Sequence, residues 1–146
     1  MMNNRITLTL PADIRFIRLV SSTASNIAGI ISAETASGKE KSEFCHAFEL
    51  ALSEAFSNSV LNKNPGDIAA KVIIVFESAD NGLMATVTDS NLPFDPDKQP
   101  PLEIDRYPEK GFGLFLIRQL MDTVNYRRER GCNCLSMTKR PATPNQ

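Results

Sequence analysis

The chain alternates between two hydrophobic periods. "RITLTL", Arg5 to Leu10, places apolar side chains at every second position, the mark of a half-buried strand, and Pro11 is expected to stop it. From Ala12 to about Ser32 the spacing lengthens: Ile14, Ile17, Val20, Ala24, Ile27, Ala28 and Ile31 give a helical period. "SGKEKS" reads as a polar connection, with Ser42 the N-cap of a second helix. Phe44, Phe48, Ala51, Leu52, Ala55 and Ser59 give that helix one face to bury. "NKNPGD" ends it with Pro and Gly.

Two strands follow, "AAKVIIVFESA" and "LMATVTD", joined by "DNG", a hairpin signal because a tight turn needs positive φ. "SNLPFDPDKQPPLEIDRYPEK" then holds five of the nine prolines and no sustained period. A loop of that length inside a compact domain is expected to be functional or disordered. "GFGLFLIRQLMDTV" predicts a buried helix through Leu114, Ile117, Leu120, Met121 and Val124. "NYRRERG" and "CNCLSMTK" predict a second hairpin, and "RPATPNQ" a frayed tail from residue 141. Without regular βαβ alternation, this order predicts an α+β fold. It is a two-layer sandwich with helices on one face of a mainly antiparallel mixed sheet, in one domain over residues 1–146.

Composition narrows the function. A formal net charge of −1 leaves no excess of Lys and Arg for nucleic acid or an anionic membrane. No apolar run approaches the ~20 residues of a spanning helix, and the start lacks a signal peptide's layout, so a cytoplasmic location is expected. Cys45, Cys132 and Cys134 cannot all pair within the chain, and the single His46 is too little for a zinc site.

Three places carry candidate chemistry. Glu54, Asn58 and Asn62 stand four residues apart, so they stack in a row on the second helix, where Asn is a mediocre helix former. A carboxylate one turn from a carboxamide joins a proton acceptor to an oxygen able to ligate Mg²⁺; it is also what a solvated helix face looks like. Asp89 closes a strand, where its carboxylate would accept an exocyclic amine or cap the following turn. Gly111 and Gly113 open the last helix, as a phosphate-binding terminus or a tight turn would.

In this order the three places resemble the GHKL (Bergerat-fold) ATPase superfamily, and within it the anti-sigma factor serine/threonine-protein kinases. "SEAFSNSVLN" is similar to the family's N box, "VTDSNLPFDP" to its first glycine box and "GFGLFLIRQLMD" to its second, and the likeness runs from Ile6 to Lys139. The resemblance implies ATP and Mg²⁺ as ligands, Asn58 as the metal ligand and Glu54 as the general base. It implies Asp89 as the adenine anchor and residues 94–110 as the ATP lid. Lys110 would contact the γ-phosphate with Arg106 behind it, and Asn62, Asn91, Phe94, Gly111, Gly113 and Leu114 would complete the nucleotide site. It further implies a partner switch. The kinase binds a sigma factor, phosphorylates a STAS-type anti-anti-sigma protein, and forms a homodimer.

The chain departs from the family pattern at Asn91, where a glycine is usual, and at Asn62, where a histidine is usual. Asn tolerates left-handed φ better than other non-glycine residues, which is the conformation expected of Asn91. Two rival readings follow. A non-catalytic ATP- or partner-binding module is favoured by Asn91 and disfavoured by Glu54. A detached histidine kinase catalytic domain is disfavoured because no phospho-acceptor helix pair precedes the motifs.

Overall fold

The computed structural model describes residues 4–93 and 109–142, with residues 109–112 described by their backbone alone. Strand β1 spans Arg5–Pro11 and a single 3₁₀ turn, Ile14–Phe16, leads into α1, Ile17–Ile31. Helix α2, Gly38–Leu61, precedes the hairpin of β2, Lys71–Ala79, and β3, Gly82–Asp89. Helix α3, Glu109–Leu120, precedes the hairpin of β4, Thr123–Glu129, and β5, Cys132–Lys139. The strands form one sheet in the order β1-β2-β3-β5-β4, and each of these pairings is antiparallel. The α+β sandwich is as expected, except that no parallel pair appears among the described strands.

Strand alternation puts Leu10, Val72, Ile74, Phe76, Leu83, Ala85, Val87 and Met137 into the core, all buried. Helix α2 covers them with Phe44, Ala47, Phe48, Ala51, Leu52, Ala55 and Phe56, spaced three or four apart. Three alanines on that stripe let the backbone sit close to the sheet, and the Phe44 and Phe48 rings meet edge-on at 5.1 Å. α1 and α3 pack against α2, and α1 adds Val20, Ala24, Ile27 and Ala28 to the core. Among the described residues no helix is long and apolar enough to cross a membrane.

Some boundaries differ from expectation. α2 starts at Gly38, four residues before Ser42, because Lys39, Glu40 and Lys41 are good helix formers; Ser37 takes the extended conformation of an N-cap. Pro11 is the last residue of β1, paired with Lys71 on the sheet's edge, where a missing N–H is tolerated. α3 begins two residues before Gly111 and stops at Leu120. Val124, expected in that helix, pairs instead with Met137 in β4 and packs on the core from the sheet. Pro141 is buried, residues 143–146 lie outside the described residues, and so do residues 94–108 of the segment 94–110 expected to be the ATP lid.

The "DNG" turn is a two-residue loop in which Asp80 and Asn81 both take positive φ, 46° and 66°. Gly82 serves a different need. A Cβ there would press into the carbonyl of Lys139 and the Cα of Arg140, both backbone atoms that cannot turn aside. Gly82→Ala is therefore expected to destabilise the protein by about 1–3 kcal/mol, as overpacking does. Urea denaturation measures this, and an unchanged midpoint would remove the close-packing account.

Candidate functional site

The apolar stripe of α2 decides where its polar row points. With Ala51, Ala55 and Ser59 turned inward, Glu54, Asn58 and Asn62 lie half-buried along the neighbouring face. That face borders a cavity of about 210 Å³ lined by Asn58, Asn62, Asp89, Asn91, Leu114, Val87 and Leu135 among others. Val87, Leu114 and Leu135 are its apolar lining, and its polar residues gather around Asp89.

Asp89 organises the polar end. Its Oδ2 accepts a hydrogen bond from Ser59 Oγ at 2.7 Å. Its Oδ1 accepts one from the backbone N–H of Asn91 at 3.1 Å and one from Asn133 Nδ2 at 2.9 Å. Asp89 thus caps the turn into the loop, and it also lines the cavity.

Asn91 is placed otherwise than expected. Among the described residues the non-glycine positions with positive φ are Asp80, Asn81 and Arg130, so Asn91 does not adopt the left-handed conformation. Its buried carboxamide donates to the carbonyl of Ser59 at 2.9 Å. That carbonyl lies in the last turn of α2, where helix carbonyls need outside partners. Asn91 therefore fastens the start of the loop to the end of the helix.

Glu54 lies one turn from the residues lining the cavity, beside α3. Among the described residues neither its carboxylate nor the Asn58 carboxamide has a hydrogen-bond or ion-pair partner. Asn62 does: its Nδ2 donates to the Asn58 carbonyl at 2.7 Å, back along the helix, while the residue still lines the cavity. Gly113 is inside α3 rather than at its start. A Cβ on it would lie 2.9 Å from Glu54 Oε2 and 3.1 Å from Asn58 Nδ2, so glycine is what lets α3 approach the row. Gly111 belongs to the first turn, whose N–H groups have no partner within the helix. Leu114 lines the cavity. Lys110 is in the first turn of α3 by its backbone alone, and Phe94 and Arg106 lie outside the described residues.

Sequence reasoning missed Asn133, Tyr126 and Arg128. The register sets Asn133 opposite Asp89 on one side and opposite Arg128 on the other, making a row across β3, β5 and β4. Asn133 Oδ1 accepts from Tyr126 Oη at 2.6 Å and Arg128 Nη1 at 3.0 Å. One signal was available. In "CNCLSMTK" the asparagine shares its parity with Leu135 and Met137, which face the core, and a polar residue on a core-facing row needs a reason.

Among the described residues no group of three or more His, Cys, Asp or Glu side chains is arranged to hold a metal ion. All three cysteines are free thiols, and burial raises the pKa of Cys45.

Comparison with known proteins agrees with this geometry. Residues 10–139 match the family model described as the histidine kinase-like ATPase domain. The chain is 29% identical to the serine-protein kinase RsbW of Listeria innocua, over 94% of this chain and 88% of that one. It is 27% identical to the serine-protein kinase RsbW of Bacillus cereus, over 92% and 84%. The fold is similar, at a TM-score of 0.63 and 19% identity, to the crystal structure of the RsbU and RsbW domains of a Mycobacterium tuberculosis protein. That likeness covers 97% of this chain and 33% of the larger one. With the model matching nearly its whole length, the chain belongs to the histidine kinase-like ATPase domain family.

Proposed function

We propose that this chain is an ATP- and Mg²⁺-dependent serine/threonine-protein kinase that regulates a sigma factor by a partner switch. It binds the sigma factor and phosphorylates a STAS-type anti-anti-sigma protein. The observation that carries this reading is the pair Glu54 and Asn58: half-buried, without partners among the described residues, and beside a cavity whose polar end is Asp89. A row serving only the fold would pair these groups or expose them.

In this reading the Asp89 carboxylate receives the exocyclic amine of adenine, and Val87, Leu114 and Leu135 enclose the ring. The Asn58 carboxamide fits Mg²⁺, which takes one or two protein oxygens and leaves the rest of its shell to phosphate and water. Bound there, the ion would neutralise phosphate charge. Glu54 accepts the proton of the attacking Ser or Thr hydroxyl as its oxygen bonds to the γ-phosphorus and the bond to the β-phosphate oxygen breaks. Gly113 leaves room for the Glu54 carboxylate beside α3.

A non-catalytic ATP-sensing module is the second reading, and Asn91 favours it, because its side chain stiffens a loop start where the family pattern has glycine. We further propose a cytoplasmic single-domain protein that forms a homodimer through β1, which among the described residues pairs only with β2 and leaves Ile6 45% exposed. Sedimentation at micromolar concentration should give twice 16.1 kDa, and a clean monomer refutes the dimer.

Asp89→Ala should weaken ATP binding by about ten- to hundredfold, the worth of a hydrogen bond to a charged group, with far-UV circular dichroism unchanged. Unchanged affinity in a calorimetric titration removes Asp89 from the site. Glu54→Gln should lower phosphoryl transfer by about 10²–10⁴-fold and leave ATP affinity nearly unchanged, since shape and polarity remain but proton acceptance is lost. Asn58→Ala should lose Mg²⁺-dependent affinity and transfer together. Single-turnover phosphorylation of a confirmed protein substrate separates the readings: full activity in the Gln variant means that Glu54 is not the base.

A further inference from the structure

Among the described residues the side chain of Asn133 makes five hydrogen bonds, and these agree on one orientation of its amide. The Nδ2 group donates toward Asp89 Oδ1 at 2.9 Å, the Leu92 carbonyl at 3.0 Å and the Asn91 carbonyl at 3.3 Å, two hydrogens shared among three acceptors. The Oδ1 atom accepts from the Tyr126 hydroxyl and the Arg128 guanidinium. Turning the amide over would bring its nitrogen against the guanidinium and its oxygen against a carboxylate and two carbonyls. The contacts with the guanidinium, the carboxylate and the two carbonyls would change from attraction to repulsion, whereas the Tyr126 hydroxyl can donate or accept. Arg128 secures the arrangement by donating also to the carbonyls of Asn91 and Gly131.

The consequence falls on Asp89. With Asn133 fixed, Oδ1 receives two donors, from Asn133 and from the Asn91 backbone, while Oδ2 receives one, from Ser59. A carboxylate offers about four lone-pair sites, so the free one is on Oδ2. Asp89 thus presents one free acceptor site to the cavity, in one place, with no donor beside it on that side chain. A ring bearing an N–H there gains a charge-assisted bond, whereas a ring with a carbonyl or a bare C–H there gains nothing.

We propose that Asn133, held by Tyr126 and Arg128, is a positioning residue that sets the preference of this cavity for a nucleobase carrying an exocyclic amine. The proposal rests on the nucleotide-binding reading given above. Asn133 orients Asp89, so its substitution should change which base is preferred and not merely how tightly nucleotide binds.

The test compares ATP with purine riboside triphosphate, the same nucleotide lacking the N6 amine, by calorimetric titration with Mg²⁺. The unsubstituted protein should favour ATP by about ten- to hundredfold. In Asn133→Ala that ratio should fall to within about threefold of one. Tyr126→Phe keeps the ring and removes only the hydroxyl, so it tests the same point should the alanine variant not fold, and should give an intermediate ratio. If both folded variants weaken the two nucleotides in parallel and keep the parent ratio, Asn133 is structural and the proposal is overturned. A ratio near one in the unsubstituted protein overturns it as well, while leaving nucleotide binding intact. If the unsubstituted protein binds neither nucleotide, this proposal and the reading beneath it fall together.

Discussion

A carboxylate at the edge of a core must be hydrogen-bonded or it costs more than the fold can spare, and Asp89 meets that demand from three directions. Ser59 comes from α2, Asn133 from β5, and the Asn91 N–H from the chain that follows β3. These contacts fix the rotation of α2 over the sheet, because Ser59 reaches Asp89 only if the helix turns its small face downward. Phe44, Phe48, Leu52 and Phe56 on the same stripe impose the same rotation by packing. Core and polar network therefore select one geometry, and the Glu54, Asn58 and Asn62 row points where it does as a consequence of both.

Along the cavity the two ends are built differently. At the Asp89 end the polar atoms are occupied by one another, and buried networks that are fully satisfied are rigid. At the Glu54 end, a carboxylate and a carboxamide stay half-exposed without partners among the described residues, which water tolerates at little cost. Gly113 connects the ends, since α3 supplies Leu114 to the cavity and its neighbouring glycine to the row.

Local chemistry was legible wherever it decided the structure. The "DNG" turn, the alternation of β2 and β3 and the apolar stripe of α2 could each be read from a few residues, because each is set by φ preference or by side-chain period. The N-box, strand-end Asp and Gly-x-Gly motifs were legible for the same reason, and the structure brings Asn58, Asp89, Asn91 and Leu114 to one cavity. Where partners come from afar, sequence reading went astray. Val124 fits a helical period, but its pairing with Met137 makes it a strand residue. Asn91 was expected to take positive φ because it stands where the family pattern has glycine, yet the carbonyl of Ser59 offers its side chain a better use. Asn133 was overlooked because nothing within its own strand says that Asp89 lies opposite.

The asparagine at position 91 ties these observations together. A glycine there would leave the loop free to move relative to α2, and would leave the Ser59 carbonyl to find water. Asn91 closes a ring: its side chain holds Ser59, whose hydroxyl holds Asp89, which in turn accepts from the Asn91 backbone. Each bond in such a ring makes the others cheaper to keep, because the groups are already ordered. The start of the loop is thereby held, and Asn133 extends the hold to Leu92 by donating to its carbonyl. Since Arg128 and Asn133 grip the Asn91 carbonyl from the far side, that segment is fixed by both layers of the sandwich.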